Sequence, residues 1–410
     1  MLGLFDQVDQ EGGELFVALY ELTDPELEQR LLQGKDYVHL ILSNTGADDA
    51  ENQPARQALH EAGIDITDRT VPNGHIGHNK FVIYADRSGT PKAVWSGSTN
   101  WTDTGLCAQS NNGILIESPE LAAIYKDYWD RLKEDAGEQS AAFRKENCQA
   151  HDVKADHGST GVTAWFSSNT KQKNKTSNSD APEDVTAVFE VMDKAKEAVL
   201  FLVFQPGSPS VVDHAAEAEN QNSDLFIRGA ATDPKAAEDF ATSLFHRSAS
   251  PGTSEVVAAA AINDQFGWWE KELLKASPGA HAIIHDKIVV VDPFSQDCVV
   301  ITGSHNLGYR ASYNNDENLL IIKGNQLLAA AYATHIMDIY DHYRWRYTLQ
   351  QKGGSAWSGL AIDDSWQDKY FMKDSLAKKE LNFWMSAANL AMAETPAPKA
   401  SAKSHGRQHH

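Results

Sequence analysis

The stretch AIIHDKIVVVDPFSQDCVVITGSHN (residues 282–306) is the most informative about the fold. It contains a run of Ile and Val residues, typical of a buried strand, that begins with a histidine and a lysine. Residues i and i+2 of a strand point to the same side, so His285 and Lys287 face one way. The Ile and Val residues that follow predict a strand buried on both faces. One His-x-Lys pair is a weak signal, because a histidine at a strand edge is more often a packing residue.

The chain contains this pattern twice. Residues 78–106 read HNKFVIYADRSGTPKAVWSGSTNWTDTGL, and residues 285–308 read HDKIVVVDPFSQDCVVITGSHNLG. Each copy has H-x-K, a short apolar strand, a turn, a second apolar strand and G-S-x-N. The histidine precedes the glycine of G-S-x-N by 19 residues in the first copy and by 18 in the second. Two matched sets at one spacing form a strong signal.

The similarity extends on both sides of these motifs. Residues 4–22 resemble 188–206, and residues 114–129 resemble 319–340. Because the first copy begins part-way along the helix that opens the second, we expect the natural N-terminus to lie upstream of Met1. Strands alternate with helices in both copies, which predicts an α/β fold built from two similar α/β/α layered repeats, each with a mixed β-sheet flanked by helices.

Shifts in composition predict where the segments end. The predicted boundaries are 1–150 for the first repeat, 151–184 for a linker and the entry to the second repeat, with a polar stretch at 167–184, 185–345 for the second repeat with an insertion at about 207–270, and 346–410 for a C-terminal helical extension with a disordered tail.

Composition limits the classes of function. The 410 residues are 41% hydrophobic, enough to bury a core, and 57 acidic against 36 basic residues give a formal charge of −21. That charge opposes extended binding to nucleic acid, which relies on Lys and Arg, so nucleic acid is the less expected partner. Cys107, Cys148 and Cys298 have no metal-site or disulfide spacing. We expect Cys107 and Cys298, in or beside apolar segments, to be buried.

Targeting signals are not apparent in the sequence. No stretch approaches the ~18 apolar residues of a membrane span, which predicts a chain without a transmembrane anchor. The first residues, MLGLFDQVDQEGG, lack a basic region followed by an apolar core. We therefore expect a cytoplasmic protein by default, while a missing N-terminal segment would leave a secreted or periplasmic location open.

The paired motifs resemble those of the phospholipase D superfamily, in which duplicated HxKx4D and GSxN motifs build one active site between two α/β repeats. The resemblance covers about residues 5–345. It implies two repeats related by a pseudo-twofold axis, with an active site at their interface that a monomer can complete. The catalytic residues that it implies are His78, Lys80, Asn100, His285, Lys287, Asn306 and Glu317, and the supporting residues are Ser98, Ser304, Asp292 and Asn112.

These residue types suit the cleavage of a phosphodiester. The reaction needs a nucleophile, an acid for the leaving oxygen and positive charge around the phosphate oxygens. Two histidines can supply the first two through a phosphohistidine, and lysine and asparagine can supply the third. We therefore expect no cofactor and no metal; a site built on His75 and His78 lacks a carboxylate or cysteine at suitable spacing. His75, His281 and His305 lie outside the motifs, and we expect ordinary, partly exposed roles for them.

The two copies differ at two positions. In the second, Asp292 completes HxKx4D, whereas the first has Ala85 there and Asp86 one residue later; this aspartate reads as structural in the family, so the slip is tolerable. Downstream of GSxN the family has an acidic residue that orients the catalytic histidine. The second copy offers Glu317 beside Asp316, and the first offers Asn111 or Asn112.

This difference predicts which histidine does what. A carboxylate stabilises imidazolium better than an amide does. We expect His78 to be the nucleophile and His285, supported by Glu317, to be the general acid. A carboxylate would also stabilise a cationic phosphohistidine, so the reverse assignment stays open.

The motifs do not choose the substrate. The leading hypothesis is a phospholipase D-type hydrolase acting on a phospholipid or related diester, with Trp268, Trp269 and Trp101 as candidate pocket residues. A nuclease of the same superfamily is the alternative, and GSTNWT in the first copy resembles that branch. Cardiolipin-synthase-like transfer is a third hypothesis, and a non-catalytic scaffold that binds lipid or phosphate comes from a different class.

Overall fold

A computed structural model describes most of the chain. The described residues are 1–45, 49–155, 158–171, 181–206, 210–232, 243–244, 255–258, 284–352, 359–373 and 375–385. They fall into two compact units, Met1–Gly359 and Leu360–His410. Both HxK motifs and both GSxN motifs belong to the first unit.

The first repeat is built on a six-stranded mixed sheet. The central strand β1 runs parallel to β2, and β2 runs parallel to β3. On its other side β1 is antiparallel to β4, which continues antiparallel to β5 and β6, in the order β3-β2-β1-β4-β5-β6. The strands are β1 (Glu14–Leu19), β2 (Val38–Ser43), β3 (Asp65–Arg69), β4 (Lys80–Ala85), β5 (Pro91–Gly97) and β6 (Gly113–Ile116).

Helices cover this sheet, and two of them begin with a capping side chain followed by proline. Asp24 accepts a hydrogen bond from the Leu27 amide, and Ser118 accepts one from the Leu121 amide. Each of these residues is followed by proline at the first helical position. The helices are α1 (Leu2–Glu11), α2 (Pro25–Gln33), α3 (Asp49–Ala62), α4 (Asp103–Cys107), α5 (Pro119–Glu134) and α6 (Ala141–Asn147).

The second sheet repeats this plan and extends it. Its order is β11-β12-β10-β9-β13-β14-β15-β8-β7, in which the run from β12 to β15 matches the first sheet strand for strand. The two-repeat α/β prediction is confirmed. The strands are β7 (His151–Ala155), β8 (Thr160–Ser167), β9 (Ala198–Val203), β10 (Phe226–Ala231), β11 (Ser243–Leu244), β12 (Glu255–Ala258), β13 (Lys287–Val291), β14 (Val299–Gly303) and β15 (Glu317–Lys323).

The structure places several strands and helices against the predicted boundaries. Within 151–184, β8 alternates buried and half-buried residues and pairs with β15 at the edge of the second sheet, which makes it part of the entry to the second repeat. Within 207–270, the described strands β10 and β12 are the counterparts of β2 and β3. The last long helix continues beyond residue 345.

The remaining helices are α7 (Glu183–Met192), α8 (Val211–Gln221), α9 (Tyr309–Tyr313), α10 (Gln326–Lys352), α11 (Asp368–Phe371) and α12 (Leu376–Trp384), with a 3-10 turn at Asp364–Gln367.

The two strands that carry HxK are buried along their whole length. Every residue of β4 and of β13 is buried, because each strand lies in the middle of its sheet with apolar side chains on both faces. The run of valines in β13 packs into the core of the second repeat. These strands form rigid supports for the polar residues at their first positions.

The two repeats meet along a buried polar seam. Ser96 Oγ donates to Asn318 Oδ1 at 2.6 Å, and Asn112 Nδ2 donates to Thr302 Oγ1 at 2.7 Å. Asn318 also donates to Asn79 Oδ1 at 3.0 Å. Hydrogen bonds of this kind are directional, so the seam fixes the position of one repeat against the other more tightly than apolar packing would.

A buried ion pair adds to this seam. The Arg69 guanidinium contacts the Asp316 carboxylate at 2.5 Å and Asp135 at 3.1 Å, and Arg69 and Asp316 are 2% and 0% exposed. Arg69 also donates to the Leu132 carbonyl. Asp316 adjoins Glu317, so the ion pair fixes the segment that carries this candidate residue.

Two expectations about single residues are wrong. Trp101 does not line a pocket: it is 0% exposed and packs in the core of the first repeat, near Phe5. Cys107, at the end of α4, is exposed, whereas Cys298 is buried as expected. In both cases neighbouring residues in sequence did not reveal which side of the loop or helix faces the core.

Candidate active site

The HxK lysines lie at equivalent positions in the two sheets. Lys80 pairs with Leu19 at the end of β1, and Lys287 pairs with Val203 at the end of β9. Each ammonium donates to the backbone carbonyl of the histidine two residues before it, at 2.8 Å in the first repeat and 2.6 Å in the second. Both lysines are almost completely buried.

The two histidines meet at the interface of the repeats. The ring centroids of His78 and His285 are 6.4 Å apart, with an angle of 73° between the rings. Both side chains are buried. Although 207 positions separate them in the sequence, the pseudo-symmetric placement of β4 and β13 brings them into one site.

Each histidine is oriented by a residue of the other repeat. His78 Nδ1 lies 2.8 Å from Glu317 Oε2, a carboxylate at the first position of β15. The prediction that Glu317 supports His285 is therefore wrong. Glu317 follows the motifs of the second copy, which suggested a contact with His285 of the same copy. In the structure the start of β15 faces the first repeat, so Glu317 contacts His78 instead. When Glu317 is ionised it can only accept, so Nδ1 then carries the hydrogen and Nε2 of neutral His78 carries the lone pair.

An asparagine holds the other histidine. His285 Nδ1 lies 2.9 Å from Asn111 Oδ1, and Asn111 Nδ2 donates to the Gly105 carbonyl at 2.9 Å, which fixes the amide orientation. The role expected of Asn112 thus belongs to Asn111, while Asn112 lies in the seam between the repeats. His285 Nε2 likewise carries the lone pair when the ring is neutral.

The serines of GSxN support these acceptors. Ser98 Oγ donates to Asn111 Oδ1 at 2.8 Å, and Ser304 Oγ donates to Glu317 Oε2 at 2.8 Å. Each serine therefore reaches the residue that orients the histidine of the opposite repeat. These contacts give Ser98 and Ser304 a supporting place in the site.

The site is electrostatically unfavourable without a bound anion. Burial, followed by the positive charges of Lys80 and Lys287, lowers the pKa of both His78 and His285 well below the usual range of histidine. Burial and the Lys80 ammonium also lower the pKa of Lys287. A phosphate between these groups would supply the missing negative charge and reverse the repulsion.

Burial acts in the opposite direction on the carboxylate. It raises the pKa of Glu317 to about 7, against the opposing positive charges of His305 and Lys80. Because Glu317 is 0% exposed, its charge is costly and is maintained by the hydrogen bonds from Ser304 and Asn315.

The asparagines of GSxN differ in their surroundings. Asn100 Nδ2 donates to a carboxylate oxygen of Glu21. The side-chain oxygens of Asn100 and Asn306 are buried and, among the described residues, have no hydrogen-bond partner. Either oxygen could accept a hydrogen bond from an alcohol or a water molecule.

The two HxK aspartates have structural contacts. Asp292 accepts hydrogen bonds from the backbone amides of Lys196, Glu197 and Ala198, which ties the end of β13 to the start of β9. Asp86 accepts from the amides of the β4–β5 turn, after an irregularity in strand register at Ala85. That irregularity accommodates the one-residue slip between the copies.

Two aromatic residues of the site were not predicted from the sequence. The Tyr20 ring lies 4.9 Å from His78, and the Phe204 ring lies 5.1 Å from His285. The ammonium of Lys80 lies 5.0 Å from the Tyr20 ring, and that of Lys287 lies 5.5 Å from Phe204. Tyr20 directly follows β1 and Phe204 directly follows β9, and the two residues align in the similar segments 4–22 and 188–206, but an aromatic residue at a strand end gave no signal of a place in the site.

The other candidate residues lie elsewhere. Trp268 and Trp269 fall outside the described residues, as does His281. His75 contacts Gln139. The expectation that His305 is partly exposed is wrong: the residue is buried, and its Nε2 lies 3.2 Å from Asp184.

Comparisons with known proteins agree with this arrangement. The family model for the cardiolipin synthase, PLD-like domain matches residues 7–133 and 188–339. A mitochondrial cardiolipin hydrolase of Danio rerio is 27% identical over 120 residues, which span 29% of this chain and only 45% of that relative. Within the described residues, no helix has the length and apolarity needed to cross a bilayer.

A solved structure shares the architecture. The phosphatidylserine synthase of Haemophilus influenzae Rd KW20 aligns over 83% of this chain and 84% of its own, with a TM-score of 0.50 and 13% identity, which shows a common fold. A phospholipase D family member, Nuc from Salmonella typhimurium, aligns over 45% of this chain and 95% of its own, at 17% identity and a TM-score of 0.26. Since the family model matches more than half of the chain, in both repeats, this protein belongs to the family of the cardiolipin synthase, PLD-like domain, within the phospholipase D superfamily.

Proposed function

We propose that the chain is a phosphodiesterase of phospholipase D type, which hydrolyses a phospholipid through a covalent phosphohistidine. The observation that supports this most is the pair of histidines, 6.4 Å apart, each with Nδ1 held across the interface and with a buried lysine beside it. Such a site offers two imidazole Nε2 atoms to one phosphate and two ammonium groups to its oxygens.

In the first step of the proposed mechanism, His78 is the nucleophile. Its Nε2 lone pair attacks phosphorus, forming the P–N bond, while the bond from phosphorus to the headgroup oxygen breaks. His285, protonated in the complex with the anionic substrate, gives its Nε2 proton to the leaving oxygen. Lys80 and Lys287 balance the negative charge on the remaining phosphate oxygens.

In the second step, neutral His285 accepts a proton from water. The water oxygen attacks phosphorus, the P–N bond breaks, and His78 regains its lone pair. The products are phosphatidic acid and a free alcohol. The same two histidines therefore act in both steps, and the charge on phosphate is balanced by side chains of this chain.

The role of Glu317 supports this assignment of the histidines. Its carboxylate accepts from His78 Nδ1, so it can stabilise the positive charge that the ring acquires when phosphorus bonds to Nε2. The sequence-based prediction of His78 as the nucleophile assumed instead that Glu317 supports His285. The contact that the structure provides favours the same nucleophile by way of the cationic intermediate.

A burst experiment with bis-p-nitrophenyl phosphate tests the mechanism. p-Nitrophenolate leaves without an acid, so His285→Asn should still react once per site and then stop, because no base activates water. We expect a burst of about one equivalent and a phosphohistidine that peptide mass spectrometry assigns to residue 78. His78→Asn should give no burst, and His75→Asn, which alters a nearby histidine outside the motifs, should behave as wild type. A burst in His78→Asn with a phosphohistidine at residue 285 would reverse the roles, and phosphodiesterase activity unchanged in both motif variants would favour the scaffold hypothesis.

A substrate panel with EDTA present tests the class of diester. We expect release of headgroup alcohol and phosphatidic acid from short-chain phospholipids. Support for lipid comes from the names of two similar proteins, a cardiolipin hydrolase and a phosphatidylserine synthase, and from the charge of −21. Cleavage confined to single- or double-stranded DNA would reject a lipid substrate. Transfer of the phosphatidyl group to an added alcohol in preference to water would identify a synthase.

A further inference from the structure

A second carboxylate, besides that of Glu317, lies beside the residues expected to hold the phosphate. Glu21 follows β1 by two residues, and its carboxylate accepts a hydrogen bond from Asn100 Nδ2. The register of the central strands identifies its counterpart: Leu19 pairs with Lys80 and Val203 with Lys287, so Glu21 corresponds to Gln205. The pseudo-symmetric site therefore has a negative charge on one side and a neutral amide on the other.

Glu21 is held by backbone contacts on a rigid segment. The Trp101 amide donates to the Glu21 carbonyl at 3.2 Å, and Leu22 and Trp101 form an isolated β-bridge. The Leu22 amide also donates to Asn52 Oδ1 at 2.9 Å. These contacts join the segment after β1 to the GSxN loop of the first repeat and fix the backbone that carries the carboxylate.

The carboxylate also acts on the other repeat. Its negative charge is among those that favour the charged form of Lys287, across the interface. The hydrogen bond from Asn100 places Glu21 beside the GSxN loop of the first repeat, and the residue is half-buried rather than hidden in the core. A fixed negative charge here weakens the binding of any plain anionic diester. It improves binding only when the substrate carries a positive group beside its phosphate.

We propose that Glu21 determines substrate specificity by binding an ammonium group on the leaving alcohol, two carbons from the phosphate oxygen. This inference rests on the proposed function and names its substrate class: phospholipids with choline- or ethanolamine-type headgroups. The same charge disfavours diesters with a second anion close to the scissile phosphate, such as nucleic acid and bis-phosphatidyl lipids. Gln205, exposed on the second side, leaves that side to the lipid part of the substrate.

The test compares two soluble lipids that differ only in the headgroup. Dihexanoyl phosphatidylcholine carries the ammonium group and dihexanoyl phosphatidylglycerol does not. For the wild-type protein we expect a higher kcat/KM with the choline lipid. Glu21→Gln, which gives the first repeat the amide of the second and keeps an acceptor for Asn100, should lower the choline-to-glycerol ratio of kcat/KM about tenfold. Glu21→Asp should retain most of the ratio, since it keeps the charge.

Controls separate this inference from the proposed function. Glu26→Gln makes the same change at an exposed position of α2 and should leave the ratio unchanged. Binding is measured independently of cleavage, by the increase in Tm that phosphocholine or glycerol phosphate produces. Wild type should respond more strongly to phosphocholine, and Glu21→Gln should lose that difference. If no lipid is cleaved, the proposed function fails while the binding measurement still decides the inference. An unchanged ratio in Glu21→Gln, or an equal response to both ligands in wild type, overturns it.

Discussion

Replacement of Glu317 by glutamine should stabilise the protein at alkaline pH while it removes activity. Burial raises the pKa of Glu317 from 4.5 to about 7. One pKa unit corresponds to about 1.4 kcal/mol, so the ionised carboxylate costs the folded state about 3 kcal/mol. The residue is 0% exposed, so solvent does not screen this cost.

The sign of the pH dependence follows from proton binding. The unfolded chain loses the Glu317 proton near its ordinary pKa of 4.5, whereas the folded protein keeps it up to about pH 7. The stability that this proton contributes is therefore fully present below about pH 4.5 and is lost as the pH rises through about 7. Glutamine cannot ionise, so the variant does not lose stability in this window.

Urea unfolding of wild type and Glu317→Gln at several pH values measures the effect. The free energy of unfolding of the variant should gain about 2–3 kcal/mol on that of wild type between about pH 5 and about pH 8. Its kcat/KM should fall at least about 100-fold, because Nδ1 of His78 loses a charged partner. Glu134→Gln, at the exposed end of α5, is the control and should show no such change with pH. A difference between variant and wild type that stays constant across this range would refute the argument.

Three further predictions concern the pH profile of activity, the buried ion pair and Trp101. The kcat/KM of wild type should rise with pH through about 7 as Glu317 ionises, and Glu317→Gln should lack this limb of the pH profile. Arg69→Ala should lower the free energy of unfolding by about 3–5 kcal/mol in denaturant titrations, because it leaves Asp316 buried without its cation; a loss below about 1 kcal/mol would contradict this. Trp101→Phe should lower stability by about 1–3 kcal/mol without altering the ratio of kcat/KM between lipids, since Trp101 packs in the core; a changed ratio would restore it to the substrate pocket.

The sequence was sufficient for the parts of the site that local geometry sets. A strand places His285 and Lys287 on one side, and an antiparallel hairpin returns the chain to GSxN beside them. The same rules apply to the first copy. The duplication then predicted two sheets of the same plan, because each copy carried its own strands and helices.

The contacts between the repeats could not be read from either copy alone. Glu317 follows GSxN of the second copy, yet its partner is His78, because the strand ends of the two sheets face each other across the seam. Asn111 crosses in the same way to His285. The choice between Asn111 and Asn112 depends on which of two successive side chains points to the interface. Both residues precede the first residue of β6, where the regular alternation of strand side chains does not yet apply.

The differences between the repeats carry the functional argument. A symmetric phosphodiester site would treat both histidines and both ester oxygens alike, so neither could be a dedicated nucleophile or leaving group. Glu317 contacts His78 where Asn111 contacts His285, and Glu21 stands where the second repeat has Gln205. Both carboxylates contact side chains of the first repeat, His78 and Asn100, and the residues at the two equivalent positions, Asn111 and Gln205, carry neutral amides. Under the proposed mechanism, one carboxylate stabilises a cation on the enzyme and the other a cation on the substrate, so the two substitutions Glu317→Gln and Glu21→Gln should separate loss of rate from loss of headgroup preference.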